Sequence, residues 1–257
     1  LRRQRQMCIR DSFHGVLLEA WYIGFTLAGV GDIDGDGGED LLIGTPVTDS
    51  YTGGAWLVDA QTTGDHDIND GIALLGPSRY FYAGSALSGP GDLNGDGHDD
   101  LLIGAGGEST YVFYGPVTAD VTLYDADHVL YETESATWSN SGGALIGMGD
   151  QDGDGHAEFI VGASHNSTEE HWAGAVYQIN GDALTESGSV QYMDELASAV
   201  LHGTTQYGYV GFSVADAGDV NGDGEADLLT GTANMEMPSH LVYGPLSGSL
   251  SADVILS

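Results

Sequence analysis

The chain has 257 residues, of which 39 are Asp or Glu and only five are Lys or Arg, giving a formal net charge of −34. That balance excludes a nucleic-acid binder, whose surface must carry basic patches, and excludes docking on an anionic membrane; it suits high or marine salt, where self-repulsion is screened. With 41% hydrophobic residues and one cysteine, the chain can build a core, has no disulfide framework, does not have a disordered composition, and shows no apolar run of about 20 residues that would span a membrane.

Residues 1–12 stand apart from the rest. They contain Arg2, Arg3, Arg5 and Arg10, four of the five basic residues, together with the lone Cys8. No apolar segment follows the arginines, so this is not a secretory signal. It reads as a non-native, adapter-like leader, with a basic arm as the alternative, and it is set apart from the fold. After it, Arg79 is the only strong base. Gly15-Val16-Leu17-Leu18-Glu19-Ala20 then reads as a short strand that closes a preceding unit.

Four units follow within residues 13–257, near 21–78, 79–137, 138–206 and 207–257. Their β-branched and aromatic runs, such as Tyr111-Val112-Phe113-Tyr114 and Ala175-Val176-Tyr177, have strand character. In the first unit strands are expected near 24–30, 40–45, 54–59 and 71–75. The second has them near 84–89, 99–105, 110–115 and 128–133, and the third near 143–148, 157–163, 173–179 and 198–203. The fourth has them near 211–216, 226–232, 239–244 and 252–256. No segment carries a helical period of useful length.

Between the first and second strands each unit repeats one nine-residue loop. The copies are Asp32-Ile33-Asp34-Gly35-Asp36-Gly37-Gly38-Glu39-Asp40, Asp92-Leu93-Asn94-Gly95-Asp96-Gly97-His98-Asp99-Asp100, Asp150-Gln151-Asp152-Gly153-Asp154-Gly155-His156-Ala157-Glu158 and Asp219-Val220-Asn221-Gly222-Asp223-Gly224-Glu225-Ala226-Asp227. Each opens an apolar run, Leu41-Leu42-Ile43, Leu101-Leu102-Ile103, Phe159-Ile160-Val161 or Leu228-Leu229-Thr230. A period this long marks an array of supersecondary units.

Oxygen side chains at positions 1, 3, 5 and 9 of a tight loop suit a hard cation such as calcium, with a backbone carbonyl at position 7 completing the set. The expected ligands are therefore Asp32, Asp34, Asp36, Gly38 and Asp40; Asp92, Asn94, Asp96, His98 and Asp100; Asp150, Asp152, Asp154, His156 and Glu158; and Asp219, Asn221, Asp223, Glu225 and Asp227. Gly38, His98, His156 and Glu225 enter through their carbonyls. About four calcium ions, one per unit, are expected as structural clips. The alternative is an acidic turn without an ion. An EF-hand is excluded because its position-12 glutamate is replaced by Ile43, Ile103, Val161 and Thr230, and a strand follows in place of a helix.

The flanks repeat too: Gly24-Phe25-Thr26-Leu27, Gly84-Ser85-Ala86-Leu87, Gly143-Ala144-Leu145 and Gly211-Phe212-Ser213-Val214 before the loops, and Gly44-Thr45-Pro46, Gly104-Ala105, Gly162-Ala163 and Gly231-Thr232 after them. This pattern resembles the FG-GAP repeat, the blade unit of the integrin alpha-subunit β-propeller and of bacterial secreted proteins. The Phe-Gly element is reversed or degenerate here. The resemblance covers about residues 13–257 and implies an all-β propeller of four-stranded blades with calcium loops between strands 1 and 2. It further implies a secreted or cell-surface setting and adhesion or ligand binding through loops on the opposite face. Four blades plus one strand suggest a fragment of a ring of about seven blades; a self-contained four-bladed ring is the alternative.

Other candidates are sparser. The segment Ser164–Trp172 carries His165, Glu169, Glu170 and His171, either a transition-metal cluster or a solvated loop tip. Trp138 and Trp172 serve either sugar stacking or packing between units. Asn166-Ser167-Thr168 is a single match to a glycosylation sequon, which has meaning only in a eukaryotic secretory host. No nucleophile elbow or zinc-protease motif occurs, so no enzyme activity is expected of this chain. The leading functional expectation is a calcium-binding extracellular module for adhesion or for a protein or glycan ligand, with missing blades of the same protein as partners. The alternatives are a non-catalytic accessory propeller of a secreted hydrolase and a structural spacer.

Overall fold

A computed structural model describes residues 11–14, 22–48, 51–106, 109–132, 140–185 and 188–251. Residues 1–10 of the leader, the strand expected at 15–20, Trp138 and the strand expected at 252–256 lie outside the described residues.

The fold is all-β. After β1 (Asp11–His14), the first sheet is built from β2 (Thr26–Gly31), β3 (Asp40–Gly44) and β4 (Gly54–Asp59); β5 (Gly64–Asp67) leaves it, and β6 (Ile72–Leu75) returns. The same order recurs in β7 (Ala83–Gly91), β8 (Asp100–Ala105), β9 (Ser109–Phe113), β10 (Val121–Thr122) and β11 (His128–Tyr131). It recurs again in β12 (Ser141–Gly149), β13 (Glu158–Ala163), β14 (Ala175–Asn180), β15 (Ser189–Tyr192) and β16 (Ala199–His202). The last unit comprises β17 (Ser213–Gly218), β18 (Asp227–Gly231), β19 (His240–Val242) and β20 (Gly248–Ser251). The expected inner strands fall within a few residues of these bounds.

Within each sheet the strands pair antiparallel in chain order. A fifth, parallel strand is then contributed by the next unit: β10 on β6, β15 on β11 and β20 on β16. By the same rule β5 pairs in parallel with β1, so β1 holds the place of a fourth strand for which β5 is the neighbour. The pairing takes in Asp11 and Ser12, two residues set apart above as leader. A helical turn follows β5, β10 and β15: Ile68–Asp70, Leu123–Asp125 and the four-residue helix α1 (Met193–Leu196). Each turn anchors one fully buried side chain, Ile68, Leu123 or Met193.

Successive sheets pack through their first strands, β2 on β7, β7 on β12 and β12 on β17, an arrangement that fits a β-propeller. Apolar cores fill the spaces between them: Leu42, Leu57 and Leu101 in one, Leu102, Leu145 and Phe159 in the next, Ile160, Val176 and Leu228 in the last. Strands covered on both faces need unbroken apolar runs, which explains Leu101-Leu102-Ile103 and Phe159-Ile160-Val161, all 0% exposed. Glycine sets the spacing. A Cβ on Gly104 would overlap the Gly142 carbonyl oxygen, and one on Gly162 would overlap that of Gly211, so a glycine near the end of these second strands lets the next sheet approach.

The two outermost sheets break this symmetry in a specific way. Leu41, 36% exposed, sits where Leu101, Phe159 and Leu228 are buried, and Leu229, 43% exposed, sits where Leu42, Leu102 and Ile160 are buried. The uncovered faces are thus the two opposite halves of the interface that joins the inner sheets.

Candidate metal centre

Each first strand ends in a register shift, at Gly29/Gly31, Ser88/Gly91, Gly147/Gly149 and Asp216/Gly218. The last glycine of each has positive φ, between 65° and 98°, which a Cβ would oppose. This bulge turns the chain out of the sheet and starts the acidic loop.

Inside each loop the first Asp accepts backbone N–H bonds from positions 4 and 6. In the second loop Gly95 N donates to Asp92 Oδ1 at 2.7 Å and Gly97 N to Asp92 Oδ2 at 2.7 Å; Asp32, Asp150 and Asp219 receive the corresponding bonds. Position 3 accepts from the N–H of position 5, at Asp34, Asn94, Asp152 and Asn221. Position 5 accepts from position 7: Gly38, His98, His156 and Glu225 donate to Asp36, Asp96, Asp154 and Asp223 over 2.7–3.0 Å. Position 9, on the second strand, accepts from the N–H of position 2: Ile33 to Asp40, Leu93 to Asp100, Gln151 to Glu158 and Val220 to Asp227. One network therefore forms four times and draws every expected side-chain ligand into the same curl.

The copies differ in how many carboxylates converge. Asp32, Asp34 and Asp40 bring oxygens within 4.8 Å of one another, as do Asp150, Asp152 and Asp154. In the second and fourth loops position 3 is Asn, and its amide donates to Asp96 or Asp223, a neutral link where a third carboxylate would repel. Among the described residues, His165, Glu169, Glu170 and His171 do not form such a group.

Position 9 is where charge is most costly. Asp40, Asp100 and Glu158 are at most 2% exposed. Burial raises their pKa to about 6, about 7 and about 7, against the lowering effect of their backbone hydrogen bonds, and nearby aspartates push them further up. Asp100 and Asp227 bond a second N–H, from Gly115 and Gly244. Glu158 has no such second bond: its Oε2 accepts from Gln151 N, and its buried Oε1 has no hydrogen-bond partner. A buried acceptor without a donor is costly, and it leaves one carboxylate oxygen of position 9 free for a cation, although Glu158 does not itself join the converging oxygens of Asp150, Asp152 and Asp154. The donor set, all oxygen and mostly anionic, fits calcium in preference to a thiophilic or imidazole-seeking metal.

The opposite ends of the sheets have other chemistry. Among the described residues eight non-glycine residues have positive φ, and seven are aromatic: Tyr22, Tyr51, Tyr80, Tyr82, Trp172, Tyr207 and Tyr209. Trp172 stacks on His171 and meets His165, Tyr207 and Tyr209 edge-on or tilted; Tyr51 stacks on Tyr80. The rings around Trp172 make it a packing centre. Burial lowers the pKa of His165. Asn166 of the sequon is buried, with its amide on Glu132 and Tyr177, so it does not present an accessible acceptor. Of this aromatic end the sequence marks Trp172 directly; the positive-φ tyrosines are signalled only by the Tyr-x-Tyr-x-Gly spacing at 80–84 and 207–211.

The array of sheets with acidic curls at one end defines a β-repeat protein with one acidic loop per unit. Comparison with known families agrees: the FG-GAP repeat model matches residues 83–120. Integrin alpha pat-2 of Caenorhabditis briggsae is 30% identical over 222 residues, covering 78% of this chain and 17% of that protein. Integrin alpha-5 of Xenopus laevis is 29% identical over 234 residues, 86% of this chain and 21% of its own length. Integrin alpha-PS2 of Drosophila melanogaster is 28% identical over 230 residues, 82% and 15%. The chain is an integrin-alpha-like FG-GAP repeat protein, and it spans 15–21% of the length of these three relatives.

Proposed function

We propose that this chain is a calcium-stabilised, non-catalytic β-propeller module of an extracellular or cell-surface protein, one that binds a protein or glycan ligand. The observation that carries the calcium assignment is the fourfold network, with the buried, unsatisfied Glu158 Oε1 at its most demanding position. The ligands are the residues at positions 1, 3, 5 and 9, with the carbonyls of Gly38, His98, His156 and Glu225 beside them. The similarity to integrin alpha subunits supports the extracellular setting. No helix among the described residues is long and apolar enough to cross a membrane. Ligand binding belongs to the aromatic end, because seven aromatic residues held at positive φ represent strain that packing alone does not require.

The four units form blades bounded near 21–78, 79–137, 138–206 and 207–257, and the complementary faces around Leu41 and Leu229 receive further blades of the same kind. Native mass spectrometry of the chain, after dialysis against calcium, tests the assignment. Four calcium ions per chain are expected; none or one would overturn it. Retention of the protein on a protein or glycan array, abolished by Tyr80→Ala with Tyr207→Ala, tests the binding end.

A further inference from the structure

The acidic loops touch one another, but unequally. Position 8 of the second loop reaches back to position 1 of the first: Asp32 N donates to Asp99 Oδ2 at 3.1 Å. Position 8 of the third loop reaches back to position 1 of the second: Ala157 N donates to the Asp92 carbonyl oxygen at 2.7 Å. That joint is doubled by His156, whose Nδ1 lies 2.9 Å from the Leu93 carbonyl oxygen. Among the described residues, no hydrogen bond joins the third loop to the fourth.

We infer that the first three loops take up cations as a coupled set while the fourth fills independently. This rests on the calcium reading above. The coupling runs through residues one bond removed from the ligands. Asp92 supplies position 1 of its own loop through its side chain and an acceptor to the third loop through its peptide. Asp99 adjoins the position-9 ligand Asp100 and holds the first N–H of the first loop. A cation that fixes Asp92 and Asp100 therefore fixes one hydrogen-bond acceptor for each neighbour, and the neighbour's ordering cost falls by that amount. By reciprocity a filled first or third loop favours the second equally.

Hydrogen exchange read by mass spectrometry resolves each loop separately while calcium is titrated into the whole chain. Asp96→Ala disables the second loop at an exposed position that takes no part in either joint. In that variant the calcium midpoints for protection of the first and third loops are expected to rise about fivefold or more, within the usual range of site coupling, with that of the fourth unchanged. Asp99→Ala is expected to raise the midpoint of the first loop. Asp99→Asn, which loses the charge but keeps the acceptor, is expected to restore it. Unchanged midpoints in the first and third loops of Asp96→Ala overturn the coupling, and so does an equal shift in the fourth, which would indicate a general field effect. If no loop of the unaltered chain gains protection from calcium, the cation reading fails and the coupling fails with it; if all four loops of the unaltered chain gain it and the first and third keep their midpoints in Asp96→Ala, only the coupling fails.

Discussion

The two ends of the sheets follow different rules. At one end four loops repeat the same residues and the same hydrogen bonds, with position 9 buried at the edge of the core. At the other end the connections vary in length and carry Tyr51, Tyr80, Trp172 and Tyr207, several of them exposed and all at positive φ. Repetition at one end marks a common structural task, and variation at the other marks where a binding surface is free to differ between units. Stability should therefore respond mainly to the acidic end, and recognition mainly to the aromatic end.

The largest effect expected on this view comes from Asp92→Ala. It removes the acceptor for the N–H groups of Gly95, Asp96 and Gly97. In calcium it should cost about 4 kcal/mol, a fall in melting temperature of about 10 °C. An equal cost in Asp92→Ala and Tyr80→Ala would erase the contrast between the ends. Next is Gly104→Val, which drives side-chain atoms into the Gly142 carbonyl and should cost about 3 kcal/mol. Its loss should be the same with and without calcium, as expected of a sheet interface. Trp172→Ala should cost about 2 kcal/mol by breaking its ring contacts, leave calcium binding unchanged, and weaken ligand capture.

The smallest effect is a matter of sign. Asp40, Asp100 and Glu158 have folded-state pKa values raised to about 6, about 7 and about 7. In chelator the folded chain then holds extra protons between the ordinary carboxylate range and about pH 7. Stability should be full below that range and should fall as pH rises through it. Calcium should flatten this slope. In chelator Glu158→Gln should melt higher than the unaltered chain at pH 7.5 and match it at pH 4, and in calcium it should gain less from the ion. An apo slope that rises with pH would contradict the burial argument.

Much of this contrast was legible in the sequence. The acidic loops have a spacing that admits one curl, so the residues sharing each hydrogen-bond network were readable by number, and the apolar runs behind them located the second strands within a residue or two. The exchanged strands were not readable. Gly64-Asp65-His66-Asp67 has no apolar alternation, and Val121-Thr122 is too short to carry a period; both are strands because a neighbouring unit offers an open edge. The ring pairings of the aromatic end stayed hidden for a similar reason, since Tyr51 and Tyr80, 29 residues apart in sequence, meet only once the sheets are stacked. The burial of the sequon's Asn166 was likewise not readable, because it is drawn inward by Glu132 and Tyr177, partners distant in sequence.

The most direct test of the account is a thermal melt of the chain with calcium titrated against chelator, and magnesium in parallel. Four sites filled well above their dissociation constants should add several kcal/mol in total, so the account predicts a melting temperature that climbs by about 10 °C or more with calcium and far less with magnesium. A folded chain that melts at one temperature in calcium and in chelator would contradict it.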